Sequence, residues 1–165
     1  MQKITDYRES RSLQYPEPVS IVIVKDGKGH YNPMSASWVM FTSLDPRMLA
    51  VSIGFTRYTY ELMEQGTEFV ISLPSAGMSS EIEFFGSKSG RDIDKLKVLG
   101  SPIQAATMID SVLLSEASVN YECKLTDKLK TGDHMIFAAE IVASHIHADK
   151  LPRLYMLGPG KFGGI

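Results

Sequence analysis

The sequence has little cysteine, no large excess of either charge and no long apolar run. Its single cysteine, Cys123, excludes an intrachain disulfide and a cysteine-based metal cluster, which agrees with a reducing compartment. Seventeen basic and nineteen acidic residues give a net charge of -2, so no basic field gathers nucleic acid. Residues 1–16 lack the apolar core of a signal peptide, and no run is long enough to span a membrane. We therefore expect a cytoplasmic protein with neither nucleic acid nor membrane as partner.

The length and composition are typical of one globular domain. The chain has 165 residues, of which 44% are hydrophobic and 22% are charged. No repeat or long polar linker divides it, so the prediction is a single domain over 1–165, with an N-terminal extension over 1–17 and a C-terminal segment over 150–165. With one cysteine, any redox chemistry requires a bound cofactor.

The first half of the chain predicts strands joined by turns and one helix. Val19–Lys25 is a β-branched run that ends at Asp26-Gly27, a hairpin signal leading to a second strand over Met34–Thr42. Further strands are predicted over Met48–Ile53 and Glu68–Ser72, with a helix over Tyr58–Gln65 between them.

The second half predicts short helices and then two long strands. Ser80 and Glu83 have the spacing of a capping box for a helix over Glu81–Phe85, and a second helix is predicted over Arg91–Leu96. Apolar residues alternate with polar ones in the two predicted strands, Ser118–Lys128 and His134–His147. Without regular alternation of strands and helices, this order favours a small β-barrel with helical insertions over a doubly wound sheet.

Two segments contain the residue types of an anion site. In Ser52–Glu61, a strand runs through Gly54 to a helix start that carries hydroxyls and Arg57, whose guanidinium suits phosphate. The alternative is that Thr56 or Thr59 only caps the helix. In Phe84–Leu96, small residues stand among basic ones, which suits close approach of a ligand or, equally, a helix-loop-helix connection.

Two further segments are candidates for binding a flat ligand and its substrate. The small residues of Asn32–Trp38 leave backbone groups accessible to a ring, although they also suit tight sheet packing. Gly132-Asp133-His134 places an imidazole at a hairpin end, where it is either a substrate contact or an ordinary surface residue.

Signatures of hydrolases and metalloenzymes are absent from the sequence. It contains no G-x-S-x-G and no H-E-x-x-H motif. His145 and His147 would share one face of a strand, but two ligands without a carboxylate seldom hold a metal, so no metal site is predicted.

Taken in order, these segments resemble the flavin-reductase-like FMN-binding split-barrel family, including its flavoredoxin-type members. The resemblance spans Pro18 to about Gly163 and is carried by N-P-M-S-A-S-W-V-M, S-I-G-F-T-R-Y-T-Y-E, F-V-I-S-L-P, S-G-R-D-I-D-K-L, the G-D-H turn and Y-M-L-G-P-G-K-F-G. It implies a mainly β, Greek-key split β-barrel with short helices, which pairs as a homodimer and binds FMN near the subunit interface. Family members commonly have Asn where this chain has Ser72.

The resemblance also implies a role for each matching residue. The residues expected at the FMN phosphate are Ser52, Arg57 and Thr59, with Lys95 assisting them or anchoring its helix. Those expected along the isoalloxazine ring are Met34, Ser35, Ala36, Ser37 and Trp38, with Ser72, Leu73 and Pro74 approaching the ring or ribityl chain through backbone. Ser89, Gly90, Arg91 and Asp92 would close the site, and His134 would meet the nicotinamide substrate.

The function implied is transfer of electrons from NADH or NADPH through FMN to free flavin, a ferric chelate or a partner protein. One alternative is a flavoredoxin-like FMN carrier that is reduced by another protein. Two others are a pyridoxamine-phosphate-oxidase-like barrel with haem or F420, and a ligand-binding barrel without catalysis.

Overall fold

The computed structural model describes residues 1–164, in which antiparallel strands form sheets of seven, three and two strands. Three short helices lie in the connections and one precedes the first strand, so the prediction of a mainly β fold is confirmed. The strands are β1 (Glu17–Pro18), β2 (Ser20–Lys25), β3 (Tyr31–Ala36), β4 (Val39–Leu44), β5 (Arg47–Gly54), β6 (Glu68–Leu73), β7 (Ile103–Ala105), β8 (Val112–Leu114), β9 (Val119–Thr131), β10 (His134–Ile146), β11 (Leu154–Gly158) and β12 (Lys161–Gly164).

The seven-stranded sheet has a hydrophobic core on each face. Its strand order is β3-β2-β6-β9-β10-β5-β4. Ile21 and Ile23 of β2 belong to one core, and Val22 and Val24 belong to the other. Because β2 is buried on both faces, its sequence is a continuous β-branched run rather than an alternation.

The long hairpin of β9 and β10 follows the predicted alternation. The alternating apolar residues of the two strands pack in or against the second core. Of these, Cys123, Phe137 and Ala139 are fully buried. Gly132 turns the hairpin with a φ of +52°, a left-handed conformation that favours glycine. Both strands are therefore confirmed, with every end within three residues of the one predicted.

The predicted strand Met34–Thr42 is wrong, because the chain divides there into two strands. β3 pairs with β2 at one edge of the sheet, whereas β4 pairs with β5 at the other. Between them the Trp38 carbonyl accepts a hydrogen bond from the Ser52 backbone N–H (2.9 Å). The chain therefore already lies beside β5 before β4 begins. Propensity cannot reveal this break, since every residue there tolerates extended backbone.

The helices are α1 (Tyr7–Arg11), α2 (Tyr58–Gln65), α3 (Ser79–Ser87) and α4 (Lys95–Leu99). α2 coincides with its prediction. The capping box is wrong, because α3 begins after Met78 and the Ser80 hydroxyl donates to the Glu81 carboxylate. The predicted helix Arg91–Leu96 is shifted, because Asp94 caps α4 by accepting from the Lys97 N–H (3.1 Å).

The chain ends contain elements that the sequence did not predict. α1 lies in the predicted N-terminal extension, and β11 and β12 lie in the predicted C-terminal segment, where they form a sheet with β1. In the middle of the chain, β7 and β8 form a separate hairpin that the sequence also did not predict. Ile165, the last residue of the predicted domain, lies outside the described part.

Candidate functional site

Three adjoining cavities form a groove beside β3, α2 and α3. The first is lined by Met34, Ser35, Ala36, Ser37, Trp38, Ser52, Ile53, Gly54, Arg57, Gly86 and His134. The middle one is lined by Asn32, Met34, Thr56, Arg57, Tyr58, Thr59, Phe85, Gly86, Ser87, Lys88, Ser89, Gly90, Arg91 and Lys95. The third is lined by Asp26, Lys28, His30, Tyr31, Asn32, Gly90, Arg91, Asp92, Ile93, Asp94 and Lys95. Because neighbouring cavities share lining residues, the three follow one another in this order.

The first cavity has a wall of small side chains along β3. The Ser35 hydroxyl donates to the Ile82 carbonyl of α3 (2.7 Å), which fixes the helix against the strand. A Cβ added at Gly86 would lie 3.4 Å from the Cβ of Ser35, so the two elements are already close to van der Waals contact. Such a wall exposes backbone and lets a flat ligand approach closely.

Two aromatic rings that pack against each other line the first cavity. The rings of Trp38 and His134 lie 4.7 Å apart at an interplanar angle of 40°. His134 Nδ1 lies 2.6 Å from Asp133 Oδ1, and this hydrogen bond lowers the pKa of the Asp133 carboxyl. The Arg11 guanidinium lies 5.5 Å from the centroid of the Trp38 ring. His134 therefore lies at the groove, with one ring nitrogen engaged by a carboxylate.

The middle cavity lies at the N-terminus of α2. Arg57 is the N-cap residue, and its side chain makes no capping hydrogen bond, so the guanidinium remains available to a ligand. Thr59 is buried, and its hydroxyl accepts from Asn32 Nδ2 (2.9 Å), which leaves the Thr59 O–H free to donate. The alternative that a threonine hydroxyl only caps this helix is therefore wrong. The N–H groups and positive dipole end of a helix N-terminus favour an anion.

Four cations line the middle cavity, and no described residue that lines it is acidic. They are Arg57, Lys88, Arg91 and Lys95. Arg91 is partly neutralised, because it pairs with the Glu61 carboxylate and stacks on Tyr58, with its guanidinium 5.3 Å from the ring centroid. The remaining positive charge favours an anion in this cavity.

Lys95 is the buried member of the four. Its side chain is 3% exposed, and Nζ has one hydrogen bond, to the Phe85 carbonyl at 3.3 Å. Burial lowers the pKa of the Lys95 ammonium from 10.5 to about 8. An anion in the middle cavity would supply the missing partner.

The loop beside Lys95 depends on a glycine. A Cβ at Gly90 would lie 2.1 Å from Asn32 Oδ1, so only glycine fits beside this amide. Asn32 Oδ1 is itself buried and has no hydrogen-bond partner among residues 1–164, although Asn32 lines the groove. The site thus contains one unpaired acceptor next to a cluster of donors.

Most of the predicted site residues meet in the groove. They are Met34, Ser35, Ala36, Ser37, Trp38, Ser52, Arg57, Thr59, Ser89, Gly90, Arg91, Asp92, Lys95 and His134. Asp92 lines only the third cavity.

The structure does not bring Ser72, Leu73 or Pro74 to the groove. β6 is a central strand between β2 and β9, and the Ser72 hydroxyl is fully buried and donates to Asn120 Oδ1 (2.6 Å). The Leu73 side chain packs in the second core. Since none of these three residues lines the groove, the structure does not support the expected contact of Ser72, Leu73 and Pro74 with the ring or ribityl chain.

The predicted site omits seven residues that line the middle cavity. They are Asn32, Thr56, Tyr58, Phe85, Gly86, Ser87 and Lys88. Thr56, Gly86 and Lys88 stand in segments that the sequence already marked, so spacing alone could have added them. Asn32 is the polar member of a strand, and only the fold places its amide over Gly90.

The two histidines considered as metal ligands have other partners. His145 Nε2 lies 2.6 Å from the buried carboxylate of Glu122, and His147 Nδ1 accepts from the Asp149 N–H (3.1 Å).

Among residues 1–164, no helix is long and apolar enough to cross a membrane.

Comparison with known proteins identifies the family. A model of the flavin reductase like domain matches residues 11–165. The chain belongs to this family. An uncharacterized protein of Pyrococcus abyssi is 34% identical over 82% of this chain and 77% of its own length. An NADH-dependent FMN reductase of Streptomyces nodosus subsp. asukaensis is 26% identical over 86% and 74%, respectively.

Solved structures share the split-barrel fold. An FMN-binding protein of Thermus thermophilus, solved with bound 1-cyclohex-2-enone, has a TM-score of 0.82 and 25% identity, covering 99% of this chain and 92% of that one. The flavoredoxin of Desulfovibrio vulgaris (Miyazaki F) has a TM-score of 0.87 and 24% identity, covering 100% and 93%. The flavin reductase-like chain described here is thus a mainly β protein of the FMN-binding split-barrel class.

Proposed function

We propose that this chain binds FMN and transfers electrons from NADH or NADPH to free flavin, a ferric chelate or a protein acceptor. The observation that carries the proposal is the middle cavity, where four cations and no acidic residue surround a helix N-terminus. A phosphate group suits that arrangement, since it pairs with guanidinium and ammonium donors and with helix N–H groups.

The residues of the middle cavity fit the phosphate and ribityl parts of FMN. Arg57 would pair with the phosphate as a planar fork, while Lys95 and the Thr59 hydroxyl would donate to it from the buried side. The unpaired Asn32 Oδ1 is an acceptor suited to a ribityl hydroxyl. Gly90 permits this approach because it lacks the side chain that would displace Asn32.

The first cavity fits the isoalloxazine ring. The wall from Met34 to Ser37 presents small side chains and backbone to a flat ligand, and Ser52 adds a hydroxyl on the facing strand. When bound, FMN supplies the chemistry of accepting a hydride and passing electrons on, which no side chain here can supply.

His134 and Trp38 would position the nicotinamide nucleotide. Their stacked rings border the first cavity, where they would orient the donor and keep water from it. Asp133 holds the His134 ring through Nδ1, which leaves Nε2 for a hydrogen bond to the nucleotide. No proton transfer by a protein group is needed for this role.

Similarity to an NADH-dependent FMN reductase supports the nicotinamide donor. The test is a fluorescence titration with FMN, followed by steady-state kinetics with NADH and NADPH. We expect tight FMN binding and turnover whose KM for the nucleotide rises in His134→Ala with little change in FMN affinity. Protein that holds FMN but shows no reduction by either nucleotide would instead be an electron carrier.

We also propose that the protein is a cytoplasmic homodimer. The edge strand β4 exposes Met40, Phe41 and Leu44, and Trp38, which precedes this strand and lines the first cavity, is also exposed. Large exposed apolar side chains on one strand are typical of an interface. Light scattering on the eluting protein should give the mass of two chains, and Phe41→Asp should give that of one.

A further inference from the structure

The short helix α1 reaches the wall of the first cavity through one side chain. Within Tyr7–Arg11 no residue is buried, and Arg11, the last of them, is the one that is half-buried. Its guanidinium lies 5.5 Å from the centroid of the Trp38 ring, and Trp38 lines the first cavity. The proposed function gives this helix no role so far.

Arg11 stands beside the proposed position of the nicotinamide. The Trp38 ring contacts the Arg11 guanidinium and also packs against the His134 ring, at 4.7 Å between centroids. In a nicotinamide dinucleotide, the diphosphate is separated from the nicotinamide ring by one ribose. A nucleotide whose nicotinamide enters beside these two rings therefore places its diphosphate near the rim of the cavity, where Arg11 lies.

The diphosphate needs a cation other than Arg57. Arg57 and the titratable His134 line the first cavity, together with no acidic residue of the described chain, but Arg57 also lines the middle cavity and is proposed to pair with FMN there. Lys130 lies over the ring of Phe55, at 5.6 Å from its centroid, and Phe55 lines none of the three cavities. Arg11, by contrast, contacts a residue of the cavity wall.

The Arg11 guanidinium is oriented by its neighbours and still has donors to offer. Its Nε donates to Gln14 Oε1 (3.2 Å), whereas Nη2 lies 3.9 Å from Glu17 Oε1, which is too long for a hydrogen bond. Glu17 thus offsets part of the charge without occupying the Nη donors, and the Arg11 side chain is 34% exposed. A guanidinium held in this way can bind a phosphate through two parallel hydrogen bonds.

We propose that Arg11 binds the diphosphate of the nicotinamide nucleotide, so that α1 forms one side of the electron-donor site. The proposal rests on the proposed function, because it requires NADH or NADPH to reduce the bound flavin. Arg11 then determines specificity, since it favours a donor that carries phosphate over a dihydronicotinamide that carries none. Trp38 would position both Arg11 and His134.

The alternative is that the contact between Arg11 and Trp38 only fastens α1 to the rest of the chain. The two roles differ in what they do to different donors. Loss of a fastening contact would affect every dihydronicotinamide alike, because each must enter past the same rings. Loss of a phosphate contact would affect only donors that carry phosphate.

The test is steady-state reduction of the FMN-loaded full chain by NADH and by N-benzyl-dihydronicotinamide, which has the same reactive ring but no phosphate. Arg11→Met should raise the KM for NADH by about three- to tenfold, as expected of a partly exposed charged pair, and change kcat less than about twofold. Its kcat/KM for the phosphate-free donor should not change. Arg11→Lys, which keeps the charge, should recover most of the loss. Arg8→Met is the matched control, since Arg8 is exposed on the same helix and lines none of the three cavities.

The outcomes separate this proposal from the proposed function. If neither donor reduces the FMN-loaded protein faster than it reduces free FMN, the proposed function fails and the role of Arg11 falls with it. If NADH reduces the protein but Arg11→Met raises the KM no more than Arg8→Met does, only the role of Arg11 is overturned. An equal loss with both donors in Arg11→Met also overturns it, because Arg11 would then only fasten the helix.

Discussion

The ammonium of Lys95 and the carbonyl of Phe85 lie 3.3 Å apart, and this is the hydrogen bond that the buried Lys95 side chain makes within residues 1–164. Because burial lowers the pKa of Lys95 to about 8, the ammonium loses its proton near that pH when the groove is empty. A bound phosphate would favour the charged form and raise the pKa. On the proposed function, flavin binding would therefore be linked to proton uptake by this residue.

The first prediction concerns the pH dependence of that binding. FMN affinity should be highest below about pH 8 and should fall as pH rises through 8, by up to about tenfold per pH unit until the pKa of the bound state is reached. Lys95→Met should weaken binding at pH 7 and remove this pH step. Fluorescence titrations from pH 6.5 to 9.5 would measure it, and an unchanged step in the variant would assign the titration to another group.

Lys95→Met should also raise the thermal stability of the flavin-free protein. Below pH 8 the folded state must bury an ammonium, whereas the unfolded state solvates it, so the charged lysine opposes folding. A methionine of similar length removes this cost. Calorimetry of the flavin-free variant at pH 7 should give a higher Tm than that of the unchanged protein, and a lower Tm would indicate that the Phe85 hydrogen bond outweighs the cost.

Arg57→Ala should weaken FMN by about 1.5–3 kcal/mol, or about ten- to a hundredfold, if its guanidinium pairs with the phosphate. Its affinity for riboflavin, which has no phosphate, should change little. Arg47→Ala is the matched control, because Arg47 is exposed at the start of β5 and lines none of the three cavities. Equal FMN affinity in Arg57→Ala and the unchanged protein would contradict the phosphate assignment.

Gly90→Ala tests the fit between the loop and Asn32. The added Cβ would lie 2.1 Å from Asn32 Oδ1, so the amide must move and its hydrogen bond to Thr59 must break. FMN affinity should fall by at least the cost of that bond, about 1 kcal/mol. Gly27→Ala, which meets no atom within 4 Å and has no positive φ, should leave the affinity unchanged.

Outside the groove, Glu122 forms hydrogen bonds with the segment 107–109, which precedes β8. Its fully buried carboxylate accepts from the Thr107 N–H and hydroxyl (2.8 Å each), the Met108 N–H (2.7 Å) and the Ile109 N–H (3.2 Å), and lies 2.6 Å from His145 Nε2. Burial alone would raise the pKa of Glu122, but the hydrogen bonds from Thr107, Met108 and His145 outweigh it and lower the pKa to about 2.

Glu122→Gln should therefore destabilise the fold by about 1–3 kcal/mol, because an amide cannot accept at both ends. Since the folded pKa is lower than the unfolded one, the contribution of Glu122 is present above about pH 4.5 and is lost as pH falls toward 2. Urea unfolding at pH 7 and pH 3 would measure both effects. Glu140→Gln, an exposed change on β10, should be neutral at pH 7, and an equal loss there would contradict the assignment.

The sequence predicted those elements whose pattern is local. The buried β2, the helix α2 and the alternating strands β9 and β10 were found because periodicity and turn glycines mark them. The break between β3 and β4 was missed, since it depends on where β5 lies and not on the residues at the break. Very short strands such as β1 and β7 carry too few residues for a pattern.

The groove was predicted mainly through the family resemblance, which located the residues around Arg57, Gly90 and His134. The residues alone left each segment open between a ligand site and ordinary structure. Asn32 begins one of the marked segments, but its contacts with Thr59 and Gly90, and the third cavity, could not be found in this way, because they depend on segments that meet only in the folded chain. Ser72 was misplaced because the motif does not reveal that β6 is central and that Asn120 engages its hydroxyl.

The most direct test of the account is the visible spectrum of the freshly purified protein, recorded before and after addition of NADH without oxygen. The account predicts flavin bands at about 370 and 450 nm that bleach within seconds. Bands that persist with NADH and NADPH but bleach with dithionite would contradict the direct nicotinamide donor and indicate an electron carrier. A colourless protein that takes up no added FMN would contradict the central claim that the groove is a flavin site.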